Sequence, residues 1–349
     1  MSRLLVALIL TSGSGTGLFA QQPGTAADTA APKPQPLFES HTQLTVTFAA
    51  DFGALGRERG TKKDTLPGTL TVVGAAGDSV TLKVRVHTRG HYRLKICQYP
   101  PLKILFERDQ VAGTVFANQK GLKLVGQCRS GHTYANYLLE EQLIYRAYNL
   151  LTDKSFRTRL AQVTYVDANP KHAPETRYAF FLEDDDKMAR RNHTTVYPSG
   201  VNQGETDPDQ MALFAVFQYM IGNTDWAVSA QHNVVVLRDS SGAFYPIPYD
   251  FDWSGVIWPP YANPDPSLNL VNVRQRTFRN SQCYVPQTLE RLFRRFNAQK
   301  DSIYTLYRTQ EGLEPKRVKQ ALDYYDDFYH TINDAGATRR EFIYGCARR

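Results

Sequence analysis

The sequence predicts an α+β protein, with strands concentrated in its N-terminal part and helices in its C-terminal part. Three observations carry that expectation. Residues 78–90, "DSVTLKVRVHTRG", alternate Val80, Leu82, Val84 and Val86 with polar residues, the period of a half-buried strand. "TYANYLLEEQLIYRAYNLLT" (133–152) sets Leu138, Tyr145 and Tyr148 near one helical face, with Leu139, Leu143, Ala147 and Leu151 beside them. From about Pro286 the pattern turns helical and stays so, through "QTLERLFRRFNAQKDSIYTLYRT" and "PKRVKQALDYYDDFYHTIND". Runs of strands followed by runs of helices define the class.

The totals set the frame. A chain of 349 residues with 42% apolar residues can bury a sizeable core. The formal charge of +7 is spread along the sequence, and no zinc-finger spacing, RNA-recognition signature or long basic block accompanies it. A nucleic-acid partner is therefore not expected. Residues 1–20, "MSRLLVALILTSGSGTGLFA", place Arg3 before an apolar run and end in small residues, as a secretory signal peptide does. Its "GSGTG" is then no phosphate loop. The run is too short to span a bilayer, and no other stretch is apolar enough for a transmembrane segment. The protein is expected to be exported, to a periplasm or beyond. Cys97, Cys128, Cys283 and Cys346 suit that compartment as two disulfides, with nearest neighbours paired.

Each element follows in order. Residues 21–36, "QQPGTAADTAAPKPQP", read as a flexible tether. An N-terminal strand-rich lobe with one long helix is expected over 37–182, and a C-terminal helical lobe over 183–349. The first lobe opens with "QLTVTFAADF", "GTLTVV" and the alternating segment above, with "LPG" and "GAAGD" as turns. "PPLKILF" and "GLKLV" add two strands before the long helix, and "RLAQVTYVD" and "RYAFFLEDDD" two more after it. "DPDQMALFAVFQYMIGN" reads as a helix that Asp207 or Asp209 can cap. "NVVVLR" and "AFYPIPYDF" close the region as short strands.

The chemistry concentrates in residues 221–253, "IGNTDWAVSAQHNVVVLRDSSGAFYPIPYDFDW". Asp225, Asn233 and Asp250 all fall at loop–strand junctions. An Asn carbonyl and Asp carboxylates are the oxygen donors that a hard divalent ion takes together with substrate phosphates. A nearby Asp can orient a hydroxyl nucleophile, as phosphoryl transfer requires.

The block "GNTDW…HN…PYDFDW" resembles the CotH kinase-like family of spore-coat proteins, an atypical branch of the protein-kinase fold. The resemblance extends more weakly over about residues 80–260. It implies a two-lobed kinase-like fold and phosphotransfer from ATP with Mg2+ or Mn2+. Carried over residue by residue, it makes Asp225 the catalytic Asp, Asn233 a metal ligand, Asp250 the main metal ligand and Asp252 a second or alternative one. A kinase pattern also needs a Lys for the nucleotide phosphates, held by a helix Glu. Lys123 on the strand before the long helix and Glu141 on that helix suit this pair, with Lys103 the rival Lys and Glu140 the rival Glu. Arg89 in "TRGHYR" is a further phosphate contact, although no G-x-G-x-x-G loop and no "HRD" triplet occur. The acceptor would be a protein side chain or a cell-surface glycan.

Two other functions fit the same residues: a secreted non-catalytic nucleotide-binding or envelope protein, and a metal-dependent hydrolase built from Asp250, Asp252 and Glu183. Other polar groups have plainer readings. Asp184 to Asp186 form a solvated acidic loop. Arg274, Arg276 and Arg279 read as a solvated cationic segment, with contact to an acidic substrate as the alternative. Trp226, Trp253 and Trp258 form packing beside the acidic loops.

Overall fold

Seven strands close into a barrel in the order β1-β2-β3-β4-β5-β7-β6. They are β1 (Leu44–Ala50), β2 (Leu66–Val73), β3 (Ser79–Thr88), β4 (Leu102–Phe106), β5 (Gly121–Gly126), β6 (Thr158–Asp167) and β7 (Glu175–Leu182). The structure is a computed structural model that describes residues 36–57, 64–74, 77–90, 92–170, 172–280 and 283–344. These all belong to the unit Pro34–Arg349. Residues 1–20, expected as a signal peptide, and nearly all of the expected tether lie outside the described residues.

The two-lobed kinase-like fold is corrected by this topology. Neighbouring strands pair antiparallel except at one seam, where β6 runs parallel to β1 from Leu44↔Ala161 to Ala50↔Asp167. β1 therefore has a partner on each side, and no sheet edge is left there. Alternation within a strand reports one buried face. A sheet curled onto itself and an open sheet covered by a helix give the same alternation, so closure is not written in any single strand. Val46, Phe48, Leu82, Val84, Ile104, Leu122, Leu124, Val163 and Phe181 fill the interior.

The outer face of the barrel is used as well. On β7, Ala179 and Phe181 point into the barrel while Phe180 and Leu182 join the second, larger core. That core is built by α3 (His132–Leu151), α5 (Pro208–Ile221), α6 (Pro286–Arg308) and α7 (Pro315–Asn333). Every residue of α5 from Gln210 to Ile221 is buried, so it is a central helix with no solvent face. Asp207 caps it, its Oδ1 accepting the Gln210 N–H at 2.8 Å. α6 and α7 are amphipathic covers: α6 buries Leu289, Leu292, Phe293 and Phe296 at three- and four-residue spacing.

The remaining elements are short. Helices α1 (Phe52–Arg57), α2 (Arg93–Ile96), α4 (Asp185–Arg191) and α8 (Ala335–Thr338) punctuate the loops. Strands β8 (Thr195–Tyr197), β9 (Val234–Arg238) and β10 (Phe244–Pro248) form a second sheet in the order β10-β9-β8. Cys97, just after α2, is disulfide-bonded to Cys128, just after β5. Cys283 is also disulfide-bonded, and Cys346 lies outside the described residues. No helix among the described residues is long and apolar enough to cross a membrane.

Candidate phosphate and metal site

The site begins where α5 stops. Gly222 turns the chain with φ +67°, and a Cβ there would meet the Tyr324 hydroxyl at 2.0 Å, so glycine is required twice over. Asn223 then organises the loop: its Oδ1 accepts the Asp225 N–H at 3.0 Å, and its carbonyl accepts the Trp226 indole N–H at 3.2 Å. Asn233 enters β9 with φ +53°, and Asp250 follows β10 with φ +61°. Left-handed backbone at two non-glycine residues is a stored cost that the surroundings must hold in place. They do so directly, since the Tyr249 N–H donates to the Asn233 carbonyl at 3.1 Å and the Asp250 N–H to the Tyr145 hydroxyl at 2.8 Å.

This wiring gathers the residues that the sequence singled out. Asn233 Nδ2 donates to Asp225 Oδ2 at 2.9 Å and to its carbonyl at 2.8 Å. His232 Nε2 lies 2.8 Å from Asp225 Oδ1. Asp225, Asn233 and Asp250 thus share one end of the β9–β10 hairpin. Asp225 is close enough to Asp252 to add, after burial and Asp250, to the rise of the Asp252 carboxyl.

One residue at the centre was not foreseen. Arg93 on α2 donates from Nη2 to Glu141 Oε2 at 2.9 Å and to Asp250 Oδ1 at 3.2 Å, and from Nε to Asp252 Oδ2 at 3.0 Å. Burial raises the Glu141 and Asp252 carboxyls above the usual range, and Arg93 opposes that rise. The expected Lys123–Glu141 pair is therefore corrected. Glu141 is engaged by Arg93, while Lys123 Nζ lies 2.5 Å from Asp185 Oδ1. The physical reason is direction: Lys123 projects from the outer face of β5 between the Phe156 and Tyr249 rings, 5.6 and 5.4 Å from their centroids.

The barrel supplies a row of cations beside these acids. Lys103 and Lys123 are register partners on β4 and β5, and like charges so placed repel. Asp184 takes Lys103 at 3.3 Å and Asp185 takes Lys123. Asp184 to Asp186 are thus no loose loop: Asp185 and Asp186 open α4, where a helix N-terminus favours acids. Arg89 is close enough to depress the Lys123 ammonium, after burial and in opposition to Asp185. Among the described residues its guanidinium forms no salt bridge.

Two further expectations change. Glu183 is consumed by structure: it pairs with Arg191 at 2.8 Å and accepts the Arg157 N–H at 3.0 Å. The carboxylate that joins Asp250 and Asp252 is Glu141 instead. Arg276 and Arg279 are half-buried and donate to carbonyls at the end of α5 and in the Asp225 loop, and Arg279 also lines the cavity beside that loop. A cavity of about 680 Å³ opens beside Asp225 and His232, walled by Trp226, Trp253, Asn263 and Asp265. Trp226 and Trp253 so border a cavity in addition to packing, whereas Trp258 is 49% exposed.

A hard divalent ion suits this donor set. One oxygen from each of Glu141, Asp250 and Asp252 lies within 4.8 Å of the others, and Glu141 Oε1 is buried with no hydrogen-bond partner. No protein-family model and no curated protein matches the chain.

Proposed function

We propose that this chain transfers a phosphoryl group from ATP to a hydroxyl acceptor on a protein or a glycan, with a divalent metal ion. The observation that carries the reading is the junction of opposite charges: an oxygen-donor cluster at the β9–β10 end stands across Tyr249 from the desolvated Lys123 and from Arg89, which forms no salt bridge among the described residues. Burial and Asp250 both raise the Tyr249 hydroxyl, and Arg89 opposes them, so one hydroxyl feels both halves. Lys123 and Arg89 would hold the nucleotide phosphates, with Lys103 behind them. Asn233, Asp250 and Asp252 would hold the ion, which supplies charge neutralisation of the transferred group. Asp225 would accept the proton that the acceptor hydroxyl loses as its oxygen bonds to phosphorus and ADP departs. His232 steadies that carboxylate, and the neighbouring cavity admits the acceptor.

The motif resemblance to the CotH kinase-like proteins supports this reading through these residues and not through the fold. The twenty-residue leader pattern and the Cys97–Cys128 disulfide support an exported setting. A second reading, a nucleotide-binding protein without transfer activity, is favoured by the three carboxylates engaged on Arg93. Magnesium-ATP should raise the melting temperature of the purified chain, and Asp250→Ala should abolish the rise. Label from gamma-labelled ATP should reach an acceptor and fall at least about 100-fold in Asp225→Asn. Stabilisation without transfer would select the second reading, and no stabilisation would end both.

A further inference from the structure

We propose that Glu141, Asp250 and Asp252 are the ligands of a divalent cation, and that Arg93 holds that cation's place in the structure. The idea takes its purpose from the phosphoryl-transfer reading but is testable without any nucleotide. It also revises that reading's ligand set, by adding Glu141 from α3 and by naming the side chain that competes.

The geometry of one nitrogen atom is the main argument. Arg93 Nη2 sits between Glu141 and Asp250, at 2.9 and 3.2 Å, and the neighbouring Nε reaches Asp252 at 3.0 Å. Three carboxylates from two distant segments converge on a single small group, as they do on a bound ion. The guanidinium satisfies them incompletely. It brings one positive charge to three acids, and Glu141 Oε1 remains buried without a partner. An unsatisfied buried carboxylate oxygen is costly, and a divalent ion with flexible oxygen coordination would claim it.

Arg93 and an ion exclude each other on the inner side. The void between Arg93, Glu141 and Tyr261 measures about 10 Å³, room for about one water but not for a hydrated ion beside the guanidinium. Entry is from the other side, where the Asp250 side chain is 40% exposed against 3% for Glu141. The segment that carries Arg93 is suited to exchange. Gly90 precedes it with φ +79°, a conformation that glycine enters and leaves freely. Cys97, tied to Cys128, follows it, so Arg93 can swing while α2 stays attached to β5.

Binding of Mn2+ alone to the full chain, followed by electron paramagnetic resonance and calorimetry, tests this. Arg93→Met should bind Mn2+ at least tenfold more tightly than the unmodified chain, and adding Asp252→Asn or Glu141→Gln should erase the gain. Arg93→Lys keeps a cation but loses the fork, so it should fall between the two. Equal affinity in the unmodified chain and Arg93→Met overturns the proposal, as does a gain that survives Glu141→Gln. Where circular dichroism shows Arg93→Met unfolded, Arg93→Lys decides, and affinity equal to that of the unmodified chain overturns the proposal. Tight Mn2+ binding without stabilisation by ATP would remove the phosphoryl-transfer reading and keep the cation site. Stabilisation by magnesium-ATP without any Mn2+ gain would do the reverse.

Discussion

Removing Arg317 should cost the fold several kcal/mol, because it would strand a glutamate in the core. Glu140 is 0% exposed on α3. Arg317 on α7 reaches its Oε2 from Nη2 at 2.5 Å and from Nε at 3.1 Å, and also donates to the Ile257 carbonyl at 2.6 Å. Breaking a buried ion pair by deleting one partner costs about 3–5 kcal/mol, most of it the desolvated charge left behind. Arg317→Met should therefore lower the unfolding free energy by about that much in urea titrations at pH 9, where Glu140 is ionised. The double change Glu140→Leu with Arg317→Met should cost far less than the two single changes added together, since neither charge then remains buried. Titration adds an independent check. Burial pushes the Glu140 carboxyl from 4.5 up to about 8, outweighing Arg317, and its Oε1 has no hydrogen-bond partner. The folded chain then keeps a proton that the unfolded chain has lost, so this group's contribution falls as pH rises from 4.5 to 8. The slope is at most about 1.4 kcal/mol per pH unit. Glu140→Gln should flatten the stability profile over that window. A cost below about 1 kcal/mol for Arg317→Met, together with parallel pH profiles for Glu140→Gln and the unmodified chain, would refute the reasoning.

Three further outcomes are expected. Gly222→Ala should lose about 2–4 kcal/mol from its left-handed backbone and its clash with Tyr324, and adding Tyr324→Phe should recover part of that loss in thermal melts. Replacing Cys97 and Cys128 with Ser opens a loop spanning 31 residues and should cost about 3–4 kcal/mol by urea unfolding. Lys123→Met should melt within a few degrees of the unmodified chain, since Asp185 is 36% exposed and can hydrate. It should nonetheless lose the stabilisation by magnesium-ATP; retention of that shift would take Lys123 out of the phosphate site.

How much of this was legible depended on whether the signal was local. β3 at Ser79–Thr88 and α3 at His132–Leu151 match their patterns, because a buried face imposes its own spacing within one element, while α5 at Pro208–Ile221 was marked by its Asp207 cap and its apolar run. Asp225, Asn233 and Asp250 were legible as a group because turn chemistry marks the ends of a hairpin, and the hairpin itself brings those ends together. Barrel closure was not legible. It depends on β1 meeting β6, more than a hundred residues apart, and both strands would look alike in an open sheet. Arg93 escaped for a similar reason: in sequence it is one of several cations near Gly90, and only the fold carries it to Glu141.

The neighbouring pair Glu140 and Glu141 shows why residue type and order underdetermine a site. Both are glutamates, both lie in the same turn of α3, and both are almost fully buried. Consecutive helix positions differ by about a hundred degrees, so the two carboxylates must look in different directions. Glu140 meets Arg317 from α7 and Glu141 meets Arg93 from the barrel side. The first pairing joins helix to helix, and its Arg317 also ties down the Ile257 carbonyl. The second stands against Asp250 and Asp252, where an acid and its cation can be exchanged for an acid and an ion. In the proposed cation site the functional glutamate would be Glu141, because its counter-charge sits on the short α2 and not on a core helix such as α7.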